Sequence, residues 1–154
     1  MSRRIVILTE GRTHPLPAKT ATCVVRYKRE EVVALYDTTK VGHTSQELLG
    51  VGGDLPIIGK LADAPTADTL LLGIAPAGGK LPTEWRKVIL EAIDRGMNLV
   101  SGLHDFLIDD PEISAAAKRK GVQIQDVRKN NEKDVANRQN IRKDCLRIHT
   151  GGQD

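Results

Sequence analysis

The sequence predicts a doubly wound α/β fold, in which helices cover both faces of a mainly parallel sheet in three α/β/α layers. Short apolar runs alternate along the chain with segments of helical periodicity, a pattern typical of strands that are buried on both faces. The connections have the length of right-handed crossovers between parallel strands. Polar clusters directly follow several runs, at the position where such sheets bind ligands. Together these observations indicate a Rossmann-like architecture.

Six strands are predicted from runs that are rich in β-branched residues or continuously apolar. They cover residues 5–9, 32–36, 56–58, 69–74, 97–101 and 122–125. Between the second and third runs lies a polar, Gly-rich stretch that contains His43, Gly52 and Gly53. We predict that this stretch is a surface loop, and we assign it no chemistry.

Two helices are predicted from apolar residues at helical spacing. The first covers 18–27, where Ala21, Val24 and Val25 recur on one face. The second covers 82–95 and is followed by Gly96, a residue type that commonly ends helices. Its predicted buried face consists of Trp85, Val88, Ile89, Ala92 and Ile93.

A third helix is predicted over 110–120 from its end signals. Asp110 is the predicted N-cap, and Pro111 stands at the first helical position, where the missing N–H of proline is harmless. Basic residues fill the predicted last turn, and Gly121 follows it. This order of proline, basic residues and glycine is typical of a helix with both ends defined.

Length and charge favour one domain with an extension. The chain has 154 residues, of which 40% are hydrophobic, enough to build one core. Residues 128–154 hold 7 Lys/Arg against 4 Asp/Glu, and this tail accounts for the net charge of +3. We therefore predict a Rossmann-like domain over 1–127 and a basic extension over 128–154. The extension has no aromatic residue for base stacking, so nucleic-acid binding is not expected.

The sequence predicts a soluble, cytoplasmic protein without membrane contact. No apolar run reaches the roughly 18 residues of a membrane-spanning helix, and Arg3 and Arg4 precede a short strand instead of a signal-peptide segment. Cys23 and Cys145 lie far apart and match no metal or redox spacing. We expect reduced thiols and no disulfide.

The loop after the first strand is a candidate ligand-binding segment. Glu10, Gly11 and Arg12 follow the strand, and Lys19 and Thr20 open the next helix, where a phosphate or carboxylate is favoured by the helix dipole. The glycine-rich dinucleotide fingerprint is absent, which counts against an ordinary NAD site. In the alternative interpretation, Lys19 faces solvent and Thr20 only fills the first turn.

Asp37 ends the second predicted strand, where Rossmann enzymes place the acid that binds a ribose hydroxyl. It is followed by two threonines, so a local Asx or Ser/Thr turn explains it equally simply. Gly78 and Gly79 follow the fourth strand. They would let a backbone approach a ligand, or they would merely bend the chain.

The loop after the fifth strand contains Ser101, Gly102, His104 and Asp105. A His and an Asp at this position are placed where the sheet presents binding or catalytic groups, and His104 is the candidate acid/base. Alternatively, His104 bonds a backbone carbonyl and Asp105 caps a turn. No clustered metal ligands are visible in the sequence, so no metal is predicted. We expect the loops 10–19 and 101–105 to line one pocket.

Five blocks of residues point to a known family. They are 7–12, 19–22, 73–76 with 79–82, 84–86 and 100–107. Together, over residues 5–128, they resemble the N-terminal Rossmann-like domain of the D-glutamate N-acetyltransferase-like family. The resemblance implies a two-domain protein, in which a larger P-loop-type domain follows and which in some members acetylates D-glutamate from acetyl-CoA.

The resemblance extends to residues 145–152, which are similar to the strand that opens the second domain. The sequence ends before a glycine-rich P-loop. The resemblance therefore implies that this chain is an isolated N-terminal domain, a truncated relative or half of a split protein, and that it is inactive by itself. The implied ligand is part of an acidic amino acid, acetyl-CoA or a nucleotide, and the implied partner is a second copy or a separate P-loop-type chain.

Three hypotheses of function remain open at this stage. The first is a ligand-binding domain of an acyltransferase-type enzyme. The second is a non-catalytic domain that dimerises or docks a partner through the Trp85 helix or the basic tail. The third is an NAD-dependent oxidoreductase, which the absent fingerprint disfavours.

Overall fold

A computed structural model of the chain describes residues 2–74 and 76–129. Its strands are β1 (Ile5–Leu8), β2 (Val32–Tyr36), β3 (Ile57–Ile58), β4 (Thr69–Leu72), β5 (Asn98–Ser101) and β6 (Ile124–Asp126). They form one six-stranded sheet in the order β3-β2-β1-β4-β5-β6. Every neighbouring pair is parallel, so all six carboxyl ends lie at one edge.

Helices cover both faces of this sheet. They are α1 (Lys19–Tyr27), α2 (Ser45–Leu49), α3 (Arg86–Asp94) and α4 (Pro111–Lys120). The chain winds outward from β1 in one direction and from β4 in the other, so right-handed crossovers place the two helix pairs on opposite faces. On one face, Val25 of α1 and Ser45 of α2 both lie against Gly52, and on the other α3 packs against α4. The predicted three-layer Rossmann-like fold is confirmed.

The core is densest around the central strands. The side chains of β1 are buried along its whole length, since helices cover it on both faces. Trp85 is fully buried beside α3. Its side chain is 0% exposed and belongs to the core, while docking of a partner through other residues of this helix stays a hypothesis.

The prediction of a loop over the stretch around His43 is wrong in part, because α2 lies there. The start of α2 is marked by a capping box formed by Thr44 and Glu47. The Thr44 Oγ1 accepts from the Glu47 N–H at 3.3 Å, and the Glu47 Oε2 accepts from the Thr44 N–H at 2.8 Å. A threonine followed three residues later by glutamate is typical of a helix start.

Predicted ends also shift where tertiary contacts intervene. The fourth strand was predicted to reach residue 74, but it ends at Leu72. Beyond it, the Gly73 carbonyl accepts from the Ala21 N–H at 3.0 Å, which turns the chain towards α1. The last predicted helix is confirmed: the Asp110 carboxylate accepts from the Glu112 and Ile113 N–H groups at 3.1 and 3.0 Å.

The predicted extension over 128–154 falls almost entirely outside the described residues, as does Cys145. Within residues 2–74 and 76–129, none of the helices is long and apolar enough to span a membrane. The described domain ends beside the carboxyl edge of the sheet, since Lys129 follows β6 by three residues.

Candidate functional site

The direction of winding reverses between β1 and β4, which makes this pair the topological switch point of the sheet. In open α/β sheets ligands bind in the crevice outside the carboxyl ends at such a point. Every sequence-predicted site residue lies in a segment that follows a strand at this edge, except the strand residue Ser101. The parallel topology therefore brings the predicted segments to one side of the molecule.

Asp37 links the loop after β1 to the end of β2. Its Oδ2 accepts from the Thr13 hydroxyl at 2.5 Å, and its Oδ1 accepts from the Thr39 N–H and hydroxyl at 2.9 and 2.7 Å. The Thr13 hydroxyl also lies 2.8 Å from that of Thr9. Asp37 is 0% exposed.

This arrangement favours the interpretation of Asp37 as a turn residue. Both carboxylate oxygens are occupied by the protein, so Asp37 closes a turn and holds a loop instead of presenting an oxygen to a ligand. Burial raises the pKa of Asp37, but hydrogen bonds from Thr13, Thr39 and the Gly11 backbone outweigh it and hold the pKa below its ordinary value.

Glu10 is held by the residue that follows Asp37. The Thr38 N–H donates to the Glu10 Oε2 at 2.8 Å, and the Thr38 hydroxyl donates to Oε1. Glu10 is half-buried, and its carboxylate lines a cavity. Two donors on one carboxylate restrict its rotation, so this acid is oriented before a ligand arrives.

That cavity, which we call the switch-point cavity, has a volume of about 470 Å³, within the range of small-molecule sites. Tyr36 and Thr38 contribute from the end of β2 and its loop, and Lys60 lies in the segment after β3 with Gly59 and Ala62. The wall opposite belongs to α3 and the turns at its two ends. Its charged residues are three acids and three bases: Glu10, Glu84, Glu91, Lys60, Lys87 and Arg95.

Part of this charge is compensated inside the protein. The Arg95 Nε lies 3.0 Å from the Glu91 Oε1. For Lys60 and Lys87, no carboxylate of residues 2–74 or 76–129 lies within ion-pair distance. The cavity therefore offers two ammonium groups to an anionic ligand.

His104 lies in a second cavity of about 540 Å³, the His104 cavity, together with Asp105, Phe106 and Arg86. The Gly79 carbonyl accepts from the His104 and Asp105 N–H groups at 3.0 and 3.2 Å. The Asp105 Oδ2 accepts from the Leu81 N–H at 3.2 Å. These bonds join the loops after β4 and β5. His104 is exposed, and its imidazole is open to a ligand.

The remaining predicted residues lie outside both cavities. Arg12, Lys19 and Thr20 are exposed and line neither of them. Ser101 is buried, and its hydroxyl accepts from the Leu103 N–H at 3.2 Å, which is a structural role. The carbonyl of the exposed Gly102 accepts from the Arg128 Nε at 2.9 Å. Gly11 and Gly78 bend their loops at positive φ.

We expected the loops 10–19 and 101–105 to line one pocket, but neither of these two cavities is lined by both loops. Glu10 lines the first and His104 the second, and neither cavity contains residues of both loops. The cause is local: Glu10 turns towards β2 through Thr38, whereas the loop after β5 is tied to that after β4 through Gly79.

Sequence reasoning missed the residues of α3 and β3 that line the switch-point cavity. Glu84, Lys87 and Glu91 lie on the polar side of a helix whose apolar face was identified, and a polar side is normally solvated. Lys60 had one usable signal, because it follows a strand at the carboxyl edge. No spacing in the sequence indicates that these residues meet Glu10.

Comparison with known proteins gives matches in sequence. Residues 38–130 match the family described as a domain of unknown function, DUF1611_N, with a Rossmann-like domain. The chain is 45% identical over 67 residues to a D-glutamate N-acetyltransferase from Tritonibacter scottomollicae, a match that covers 44% of this chain and 20% of that protein. A D-glutamate N-acetyltransferase from a Pseudoalteromonas species is 42% identical over 62 residues, 40% of this chain and 19% of that protein.

Solved structures agree with the fold. The crystal structure of a DUF1611 family protein from Anabaena variabilis superposes with a TM-score of 0.76 and 33% identity, over 88% of this chain and 40% of that one. An amine dehydrogenase from Mycobacterium smegmatis has a TM-score of 0.56 at 16% identity over 80% of this chain and 38% of that one, a likeness of fold alone. The chain thus spans less than half the length of these relatives, and it belongs to the DUF1611_N family of Rossmann-like domains.

Proposed function

We propose that this chain is the ligand-binding N-terminal domain of a D-glutamate N-acetyltransferase-like protein, and that its switch-point cavity binds an acidic amino acid. The observation that carries the proposal is the presence of Lys60 and Lys87 in a cavity beside the carboxyl ends of β1, β2 and β3, without ion-pair partners among the described residues. The partial matches to D-glutamate N-acetyltransferases support this ligand class.

The charges of the cavity suit a small zwitterion better than a dinucleotide. Two ammonium groups attract the two carboxylates of an acidic amino acid, and the acids of the same cavity attract its amino group. A pyrophosphate at this place would face Glu10, Glu84 and Glu91. In addition, Asp37 already accepts four hydrogen bonds, two from Thr13 and two from Thr39, which leaves no acceptor position for a ribose. Acetyl-CoA and nucleotides are therefore assigned to the rest of the protein in this proposal.

The chemistry of acetyl transfer needs more than this cavity. A base must take a proton from the attacking amine, and His104, our candidate acid/base, lies in the other cavity. We propose that His104 serves a ligand of its own cavity, and that transfer depends on the polypeptide by which the relatives exceed this chain.

Binding to the full chain tests the proposal. D-glutamate should raise the thermal unfolding midpoint, because a ligand that binds only the folded state stabilises it, whereas NAD should not. The Lys60→Met/Lys87→Met double variant should bind D-glutamate about tenfold or more weakly by calorimetry, as expected for lost charged hydrogen bonds. Lys118→Met, an exposed change in the last turn of α4, is the matched control. Absence of any D-glutamate binding would overturn the proposal.

An assembly role is a second candidate, favoured by apolar exposure near β6. Ile108 and Val127 are 41% and 49% exposed, and β6 is an edge strand of the described sheet, a position that can pair with another chain. Sedimentation of the full chain tests this role, and a monomer at all concentrations would contradict self-association.

A further inference from the structure

One acid of the switch-point cavity differs from the others in how it is held. We infer that Glu10 is the specificity-determining residue that binds the amino group of the ligand, so that the cavity selects a free amine over its N-acylated or deaminated counterparts. This inference rests on the proposed function, since it names which group of an acidic amino acid is read and by which side chain.

Orientation singles out Glu10 within the cavity. Thr38 donates to both of its oxygens, one bond from the backbone at 2.8 Å and one from the hydroxyl. A carboxylate can accept about four hydrogen bonds, so two acceptor positions remain for a ligand. An ammonium group that arrives there meets a carboxylate whose rotation is already restricted, which lowers the entropic cost of binding.

The other two acids are less suited to this role. Glu91 is already neutralised by Arg95, with the Nε and Oε1 atoms 3.0 Å apart. Glu84 lies exposed on the turn before α3, and within residues 2–74 and 76–129 no hydrogen bond holds its carboxylate. Unlike Glu10, Glu84 is therefore not oriented before a ligand arrives.

Tyr36 lies close to two carboxylates of the cavity. Burial raises the pKa of the Tyr36 hydroxyl, and the charges of Glu10 and Glu91 raise it further. The two carboxylates therefore act on the same buried phenol, which lines the cavity with them. Since Arg95 compensates the charge of Glu91, Glu10 is the acid beside this phenol that has no ion-pair partner among the described residues.

A consequence for selectivity follows from the charge of the ligand. An N-acylated amino acid has a neutral amide where the free amino acid has an ammonium, and a deaminated dicarboxylate has no nitrogen there. The amide keeps one N–H donor but carries no charge, and the dicarboxylate offers neither, so each gives the half-buried Glu10 carboxylate a weaker partner or none. The same residue that attracts the free amine thus favours release of the acylated form.

Calorimetric titration of the full chain with three probes tests this inference. The probes are D-glutamate, glutarate, which lacks the amino group, and N-acetyl-D-glutamate. We expect the wild-type chain to bind D-glutamate about tenfold or more tightly than either analogue. In Glu10→Gln this ratio should fall to about one, because D-glutamate loses affinity while glutarate keeps or gains it. Glu30→Gln, which removes an equal charge from an exposed site in neither cavity, should keep the wild-type ratio.

The outcomes separate the two proposals. If D-glutamate and glutarate both bind the wild-type chain equally, or if Glu10→Gln leaves the ratio unchanged, the role of Glu10 is overturned while the cavity remains an anion site. If none of the probes binds, the proposed function itself fails. Far-ultraviolet circular dichroism and the thermal midpoint of Glu10→Gln establish that the variant is folded before its ratio is interpreted.

Discussion

Asp37 shows how a residue at a binding position becomes structural. It stands where a dinucleotide-binding fold offers an acid to ribose, but Thr13 and Thr39 donate to both of its oxygens. The loop after β1 is fastened to β2 by these bonds. Because Thr38, the next residue, orients Glu10, the buried acid supports the candidate site through its neighbour in the chain.

The lowered pKa of Asp37 predicts how stability depends on pH. A carboxyl whose pKa is depressed in the folded state stabilises the fold above its unfolded pKa, near 3.9, and loses that contribution as the pH falls through the folded value. We expect Asp37→Asn to lower the free energy of unfolding at pH 7 by about 1–3 kcal/mol, the usual cost of disrupting buried charged hydrogen bonds. Urea unfolding at pH 7 and below pH 4 measures the free energy of unfolding of the wild-type chain and of Asp37→Asn. An equal wild-type minus variant difference at both pH values would contradict the prediction.

Gly79 combines a positive φ with close contact to the His104 side chain. Its φ is +66°, and a Cβ there would lie 2.4 Å from the His104 Cδ2. We expect Gly79→Ala to displace the imidazole and to destabilise the fold by about 1–3 kcal/mol. The histidine ring resonances in a proton–nitrogen spectrum report the displacement. Gly96→Ala is a matched control, since its φ is +78° but a Cβ there meets nothing within 4 Å; equal ring shifts in both variants would sink the idea.

At the scale of elements, one ion-pair cluster joins the starts of α3 and α4. The Arg86 Nη1 lies 3.1 Å from the Asp110 Oδ1 and 2.7 Å from the Glu112 Oε2. Hydrogen bonding to Arg86 lowers the pKa of Asp110, although burial opposes this. Asp110 therefore has two roles, since it also caps α4.

These two roles can be separated by mutation. We expect Asp110→Ala to destabilise the protein by about 1–2 kcal/mol, because it removes the N-cap as well as the ion pair. Arg86→Met keeps the cap, so it should cost less than about 1 kcal/mol, as for other partly exposed pairs. Chemical denaturation of both variants makes the comparison. A larger loss in Arg86→Met would show that the ion pair outweighs the cap.

At the scale of the whole molecule, all described strands and helices end before Lys129. A chain shortened to residues 1–129 therefore retains the six strands and the core, and we expect its thermal midpoint to lie within about 5 °C of the full chain. Differential scanning calorimetry measures it. A fall of more than about 10 °C, which corresponds to roughly 2–4 kcal/mol for a domain of this size, would place residues 130–154 in the core.

The sequence by itself determined the fold class, most element positions and the edge of the sheet that presents polar loops. It could do so because burial on both strand faces, helical periodicity and capping residues are local patterns. Even the helix that we missed, α2, had its capping box in the sequence at Thr44 and Glu47.

Only the tertiary structure decided which polar residues share a cavity. The side chain of Glu10 turns to Thr38 and not towards His104, and α3 brings Lys87 and Glu91 to the same cavity from far along the chain. Such meetings depend on the strand order and on the direction of each side chain, which no local spacing encodes. The sequence therefore predicted the edge of the sheet along which a ligand would bind, but the packing of α3 against β4, β5 and the turn after β3 determined which residues line the cavity.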